Sequence, residues 1–148
     1  MVWGCTSAAG VGNLVFIDGI MDSRVYLNIL KKNFISSAER VGLNRSFIFM
    51  QVNNPKHTSL LTRQWLLYNV KKSFNHPPQS PDLNPIEHLW EHLDRKVRSY
   101  EIKNKNDLKE KLREEWNKIL PTVTTKLVSS MRTRLQAVLK SRGNPTKY

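Results

Sequence analysis

The chain has little cysteine, little negative charge and no long apolar run. One cysteine, Cys5, excludes an internal disulfide and a cysteine-based zinc finger, and it suits a reducing compartment. No run of about 18 apolar residues occurs, so the sequence contains no bilayer-spanning helix. No basic region precedes an apolar run at the N-terminus, which argues against a secretory signal. Acids are scarce: 12 Asp+Glu stand against 24 Lys+Arg, giving net +12 and a pI of about 10.1. That balance favours polyanions, either nucleic acid or an anionic membrane surface. The excess is uneven. Residues 91–148 hold 15 basic and 7 acidic residues, against 9 and 5 in residues 1–90.

What is present is globular. The hydrophobic share is 39% and the aromatic share 9%. At 148 residues the length predicts a single domain, residues 1–148, able to bury roughly two thirds of its unfolded surface. Met1–Cys5 reads as a short strand, residues 8–13 as a small-residue turn, and Leu14–Ile17 as a second strand closed by Asp18-Gly19; together they predict a hairpin. Asp22 or Ser23 caps a helix to about Ala38, with Val25, Tyr26, Ile29, Leu30 and Phe34 on one face. Ser46–Val52 is a continuous apolar run, the mark of a buried central strand. Asn53-Asn54-Pro55 stops it. A helix over about Thr58–Asn69 follows, then a short strand near Val70–Phe74 and a proline-rich loop at His76–Pro85. Beyond Pro85 the chain reads as helical, with 100–148 a helical tail. Helices are predicted at about Ile86–Ser99, Asn106–Leu120 (ended by Pro121) and Thr124–Ser141, the last terminated by Gly143-Asn144-Pro145.

The most specific stretch is Ser80-Pro81-Asp82-Leu83-Asn84-Pro85-Ile86-Glu87-His88-Leu89-Trp90, a two-proline loop that opens a helix with a carboxylate in its first turn. Enzymes that cut phosphodiesters hold two divalent cations about 4 Å apart with Asp and Glu from neighbouring elements. A strand end and a helix start are suitable sources. Here the strand ends at Val52 in Gln51-Val52-Asn53-Asn54-Pro55-Lys56-His57-Thr58, and the helix start carries Glu87; 34 residues separate them.

This pattern resembles the catalytic domain of Tc/mariner DNA transposases. Met1-Val2-Trp3-Gly4 resembles the family's second strand, Gln51–Thr58 its strand-end motif, and Ser80–Trp90 its final acidic motif. Ser130-Met131-Arg132 to Val138 and Thr146-Lys147-Tyr148 resemble its C-terminal end. The similarity covers essentially the whole chain. It implies an α/β fold, a ribonuclease-H-like mixed sheet flanked by helices, and ancestral Mg²⁺-dependent DNA transposition and integration in the nucleus. The family's triad is Asp-Asp-Glu. Its first aspartate lies on a strand ahead of the Met1–Gly4 match, so the first, central strand is expected to be missing. Val52 stands where the second aspartate belongs, and Glu87 is the surviving member. Valine has no lone pair, so the expected outcome is no productively bound Mg²⁺ and no catalysis. The expected activity is nonspecific binding to the DNA phosphate backbone through Lys56, His57, Arg95, Lys96 and Arg98, with no membrane partner. A missing central strand should also leave two strand edges open. The chain would then pair with itself or with a related transposase as a non-catalytic module, or be a non-functional gene fragment.

Other residues read more plainly. Asp82 and Asn84 fix the loop through Asx-type hydrogen bonds, and Asp18 and Asp22 serve a turn and a cap. His88 and His92 share a helix face at zinc-compatible spacing, but the spacing alone is a weak signal. Cys5 is a small strand residue, and Trp65, Trp90 and Trp116 are core residues. Lys103, Lys105, Lys109, Lys111 and Arg113 alternate with acids on a solvated helix face. Arg132, Arg134, Lys140, Arg142 and Lys147 lack balancing acids and are expected to add phosphate contacts.

Overall fold

A computed structural model describes residues 1–44, 47–75 (Asn75 by its backbone only), 77, 80–142, 144 and 146. In order, the elements are β1 (Val2–Ser7), β2 (Gly10–Phe16), α1 (Ser23–Arg40), β3 (Ile48–Gln51), α2 (Leu60–Asn69), β4 (Lys72–Asn75), α3 (Pro85–Val97), α4 (Lys105–Asn117), α5 (Pro121–Ser129) and α6 (Met131–Lys140); a single 3-10 turn covers Pro81–Leu83. The strands form two ribbons. β1 pairs with β2, and β3 pairs with β4 in parallel, Ile48 opposite Lys72 through Gln51 opposite Asn75. Among the described residues no strand joins β1 to β3, so each ribbon keeps an open edge.

Contacts divide the chain into two compact units. The first is Met1–Cys5 with Gly12–Ser80; the second is Thr6–Val11 with Pro81–Tyr148. In the first unit α1 starts where the sequence says it should. The Asp22 carboxylate accepts from Val25 N at 2.7 Å, satisfying one of the helix's free N–H groups. One face of α1 buries Tyr26, Ile29, Leu30 and Phe34. Phe34 meets Phe47, Phe49 and Trp65 edge-on, at ring separations of 5.5, 5.1 and 5.6 Å, the arrangement that aromatic quadrupoles favour. β2 lies against α1 at Gly12. A Cβ built there would stand 2.5 Å from Cys5 Sγ and 2.7 Å from Ser37 Cβ. Next to it, Asn13 N donates to Ser37 Oγ at 3.0 Å.

In the second unit α3 buries Pro85, Leu89, Leu93 and Val97, a four-residue spacing that keeps them on one side. That side packs on α4 and α5. Trp116 of α4, 1% exposed, stacks on Trp90 at 5.1 Å. The hairpin tip is tied to α5, because Thr124 Oγ1 and Thr125 Oγ1 both donate to the Ala8 carbonyl, at 3.0 and 2.7 Å.

Four sequence expectations change. The small-residue turn is only Ala8-Ala9; residues 10–13 belong to β2, because Gly12 is needed for close packing rather than for a turn. β3 is only half-buried, and Ile48 is 63% exposed, because among the described residues β3 has a strand neighbour on one side only. The expected helix over Thr124–Ser141 is two helices, α5 and α6. Ser130 separates them and turns its hydroxyl back to the Leu127 carbonyl at 2.7 Å, a local bond that competes with the helical ladder. Pro121 opens α5 as its first residue, where a missing N–H does no harm. Gly143 and Pro145 of the expected stop, and the resemblance at Lys147-Tyr148, lie outside the described residues; α6 ends at Lys140, and past it Asn144 N donates to the Ser141 carbonyl at 3.1 Å.

Candidate functional site

The strand-end segment belongs to the first unit. Val52 is half-buried just past β3. After it the backbone turns tightly. Asn54 N donates to the Val52 carbonyl at 2.9 Å, and the Asn54 carbonyl receives His57 N at 2.8 Å and Thr58 N at 3.0 Å. The Asn54 side chain accepts from Lys56 N at 3.0 Å, an Asx-type closure that explains the asparagine before proline. This turn is latched to α1. Tyr26 Oη donates to Gln51 Oε1 at 2.8 Å, and Gln51 Nε2 donates to the His57 carbonyl at 3.1 Å. The His57 ring stacks on Tyr26 at 4.0 Å.

His57 therefore does not face solvent. Both ring nitrogens are buried with no hydrogen-bond partner. Burial pushes its pKa below the ordinary value; the Val52 backbone pulls the other way, too weakly to count as a hydrogen bond, and Lys56 adds to the lowering. A ring held neutral and enclosed offers no N–H to a phosphate. The Tyr26 phenol is pushed far up by burial, so it stays a donor to Gln51. Lys56 is half-buried and enters no ion pair among the described residues.

The acidic motif belongs to the second unit. Asn84, 4% exposed, precedes α3, and Pro85 is the first helical residue. Asn84 does not cap the helix with its side chain. Instead its Nδ2 donates to Glu87 Oε1 at 3.2 Å, which aims the carboxylate from the first turn. Negative charge there complements the helix dipole. Asp82 is held by two partners: its carbonyl accepts from Arg134 Nη1 at 3.1 Å, and its carboxylate from Thr146 Oγ1 at 3.1 Å. Arg134 is 4% exposed and also donates to Ser130 Oγ at 2.9 Å. It is a tether for the Pro81–Leu83 turn, not the solvated phosphate contact that its charge suggested. Nothing in its sequence neighbourhood signals the tether, because the carbonyl it holds belongs to Asp82, 52 residues away. Arg95, Lys96 and Arg98 are exposed on α3. Arg98 pairs with Asp94 at 2.7 Å and is partly neutralised.

His88 lies 3.9 Å from Glu91, and burial, with Arg134 beside it, lowers its pKa. Among the described residues no group of three or more His, Cys, Asp or Glu gathers. Hard Mg²⁺ takes several oxygen ligands. Val52 presents only hydrocarbon, and one Glu87 oxygen already serves Asn84. The residues present in this chain do not fit a two-ion magnesium centre. No helix among the described residues is long and apolar enough to cross a membrane.

The two strand ribbons and the helices that follow them place the chain in the α/β class. The model of the DDE superfamily endonuclease family matches residues 20–109, and the chain belongs to that family. Among its relatives, the Tcb2 transposase of Caenorhabditis briggsae is 43% identical over 148 residues, and the Tc1 transposase of Caenorhabditis elegans is 42% identical over 149. Each match covers all of this chain and 54% of the relative, so the chain spans about half their length. The Mos1 transposase catalytic domain, solved with raltegravir and Mn, superposes with TM-score 0.86 at 19% identity, covering 99% of this chain and 76% of that one. A pre-cleavage Mos1 transpososome matches with TM-score 0.83 at 18% identity, covering 95% of this chain and 43% of that one. The structural likenesses establish the α/β fold, the one the Mos1 catalytic domain has.

Proposed function

We propose that this chain is a Tc/mariner transposase derivative that binds DNA and does not cut or join it. The observation that carries the reading is Val52. It stands just past β3, where the motif calls for a carboxylate, and the sequence carries no acid on either side of it between Glu39 and Asp82. Binding without chemistry remains favoured by net +12, which displaces counterions from the phosphate backbone. Exposed Arg95 and Lys96 are the strongest phosphate contacts of the helix-start motif. Arg98 contributes less because Asp94 shares it, and Lys56 acts from the strand-end turn while the His57 ring takes no part. The nucleus is the compartment that fits a DNA ligand. The test is binding of a labelled duplex across a salt series. Steep loss of affinity with salt, reduced by Arg95→Gln/Lys96→Gln, supports the reading; salt-independent binding or none refutes it.

A second reading draws on the open edges of β1 and β3. Unpaired edges accept another strand, and a related transposase or a second copy would supply one. Co-purification with an intact relative tests it.

A further inference from the structure

From Arg40 to Pro81 the chain runs 42 residues without an acid, while carrying Arg40, Arg45, Lys56, Arg63, Lys71 and Lys72. Glu39 and Asp82 bound this tract. Its consequence is structural, because the same tract builds one side of the first unit: β3, α2 and β4. Between these elements lies a cleft of about 680 Å³. Arg63 and Leu67, one helical turn apart on α2, share one wall with Lys71, which follows the helix; Ser73 and Phe74 of β4 and Asn53 complete the parts that matter here. Arg63 and Lys71 are exposed, and neither enters an ion pair among the described residues. Leu67 is 78% exposed and Phe74 49%.

We propose that this cleft binds a single-stranded nucleic acid, with phosphates on Arg63 and Lys71 and a base against Phe74 and Leu67. The charge decides the class of ligand: a positive surface with no acid near it in sequence is built for a polyanion. The apolar residues decide the form. A duplex hides its base faces and would leave Phe74 and Leu67 facing backbone. An unpaired strand offers a base face to each, and aromatic stacking with flanking cations is how proteins hold such strands. The amide of Asn53 and the hydroxyl of Ser73 suit base edges better than they suit an apolar peptide helix. Gln51 and Val52 of the strand-end motif also line the cleft, so the ligand would lie beside that motif. The proposal rests on the reading of this chain as a DNA binder, and names the strand form and the place.

The experiment is fluorescence anisotropy on the full chain with labelled DNA and RNA strands of ~16 nucleotides and the matching duplex, over a salt series. The expected order is single strand tighter than duplex. Tighter binding of either sugar supports the site and names its source. Arg63→Glu/Lys71→Glu should weaken single-strand binding about ten-fold or more and flatten the salt slope by about 1.4, at about 0.7 per lost phosphate contact. Phe74→Ala should weaken it about ten-fold with the slope unchanged. Lys31→Glu/Lys32→Glu on the exposed side of α1 makes the same charge change and should cost several-fold less. Circular dichroism confirms that each variant is folded. Equal losses from the two charge reversals, a neutral Phe74→Ala, or an acidic helical peptide that occupies the cleft in preference to single strands would each overturn the proposal. If no nucleic acid binds at all, the DNA reading fails with it. If wild type binds and the cleft variants bind equally well, the cleft alone is wrong.

Discussion

Gly12→Ala should destabilise this protein by overpacking β2 against α1. The added Cβ would lie 2.5 Å from Cys5 Sγ, 2.7 Å from Ser37 Cβ and 3.0 Å from Ser37 Oγ. The sulfur can rotate about one bond. Ser37 Cβ cannot, because it is fixed to the backbone of α1 and Ser37 is 2% exposed. Relief therefore means moving β2 off the helix. Overpacking of this kind costs about 1–3 kcal/mol. The same movement stretches the bond from Asn13 N to Ser37 Oγ, now 3.0 Å, worth about 1 kcal/mol. The sum is about 2–4 kcal/mol, or a fall in Tm of roughly 5–15 °C for a chain of this size. Thermal melting followed by circular dichroism measures it, and hydrogen exchange at the Asn13 amide should accelerate in parallel. Cys5→Ala in the Gly12→Ala background removes one of the two closest contacts and should recover part of the loss. A Tm within about 2 °C of wild type for Gly12→Ala would show that the strand is free to move away and would refute the close-packing account.

Tyr26→Phe removes the donor to Gln51, and should cost about 1 kcal/mol in denaturant unfolding while loosening the turn at Asn54–Thr58. Trp116→Ala empties a fully buried site beside Trp90, and should cost about 3–5 kcal/mol. Stability should also fall on acidification. The folded chain holds the His57 pKa below its unfolded value of about 6.5, so below that pH the unfolded chain takes up a proton that the folded chain refuses. His88 is shifted the same way. Denaturant midpoints should be level above about pH 7 and decline below about 6.5. The decline should be shallower in His57→Gln.

Some of this was legible in the sequence because the signal was local. Asp22 announces its helix by side-chain chemistry alone, and Ser80–Trp90 marks a loop and a helix start through its two prolines. The α1 face of Tyr26, Leu30 and Phe34 follows from helical period. What was hidden depends on distant partners. Gly12 sits in a glycine-rich stretch that reads as a turn, and only its approach to Ser37 explains it. Arg134 reads as a solvated cation until the carbonyl of Asp82 is in view. His57 looks like a phosphate ligand by position, yet its ring turns inward onto Tyr26. Ile48 belongs to an apolar run that predicts burial, and it is exposed because burial needs a neighbouring strand as well as a hydrophobic side chain. The break at Ser130 is intermediate: serine is a weak helix residue, but only the bond to Leu127 shows where the helix divides.

The central claim is that this chain handles DNA without metal-dependent chemistry. Supercoiled plasmid incubated with the chain and its Glu87→Gln variant, in Mg²⁺ and in Mn²⁺, tests it most directly. The account predicts bound but uncut plasmid, with no difference between the two proteins. Nicking or joining by the wild-type chain that disappears in Glu87→Gln would contradict it.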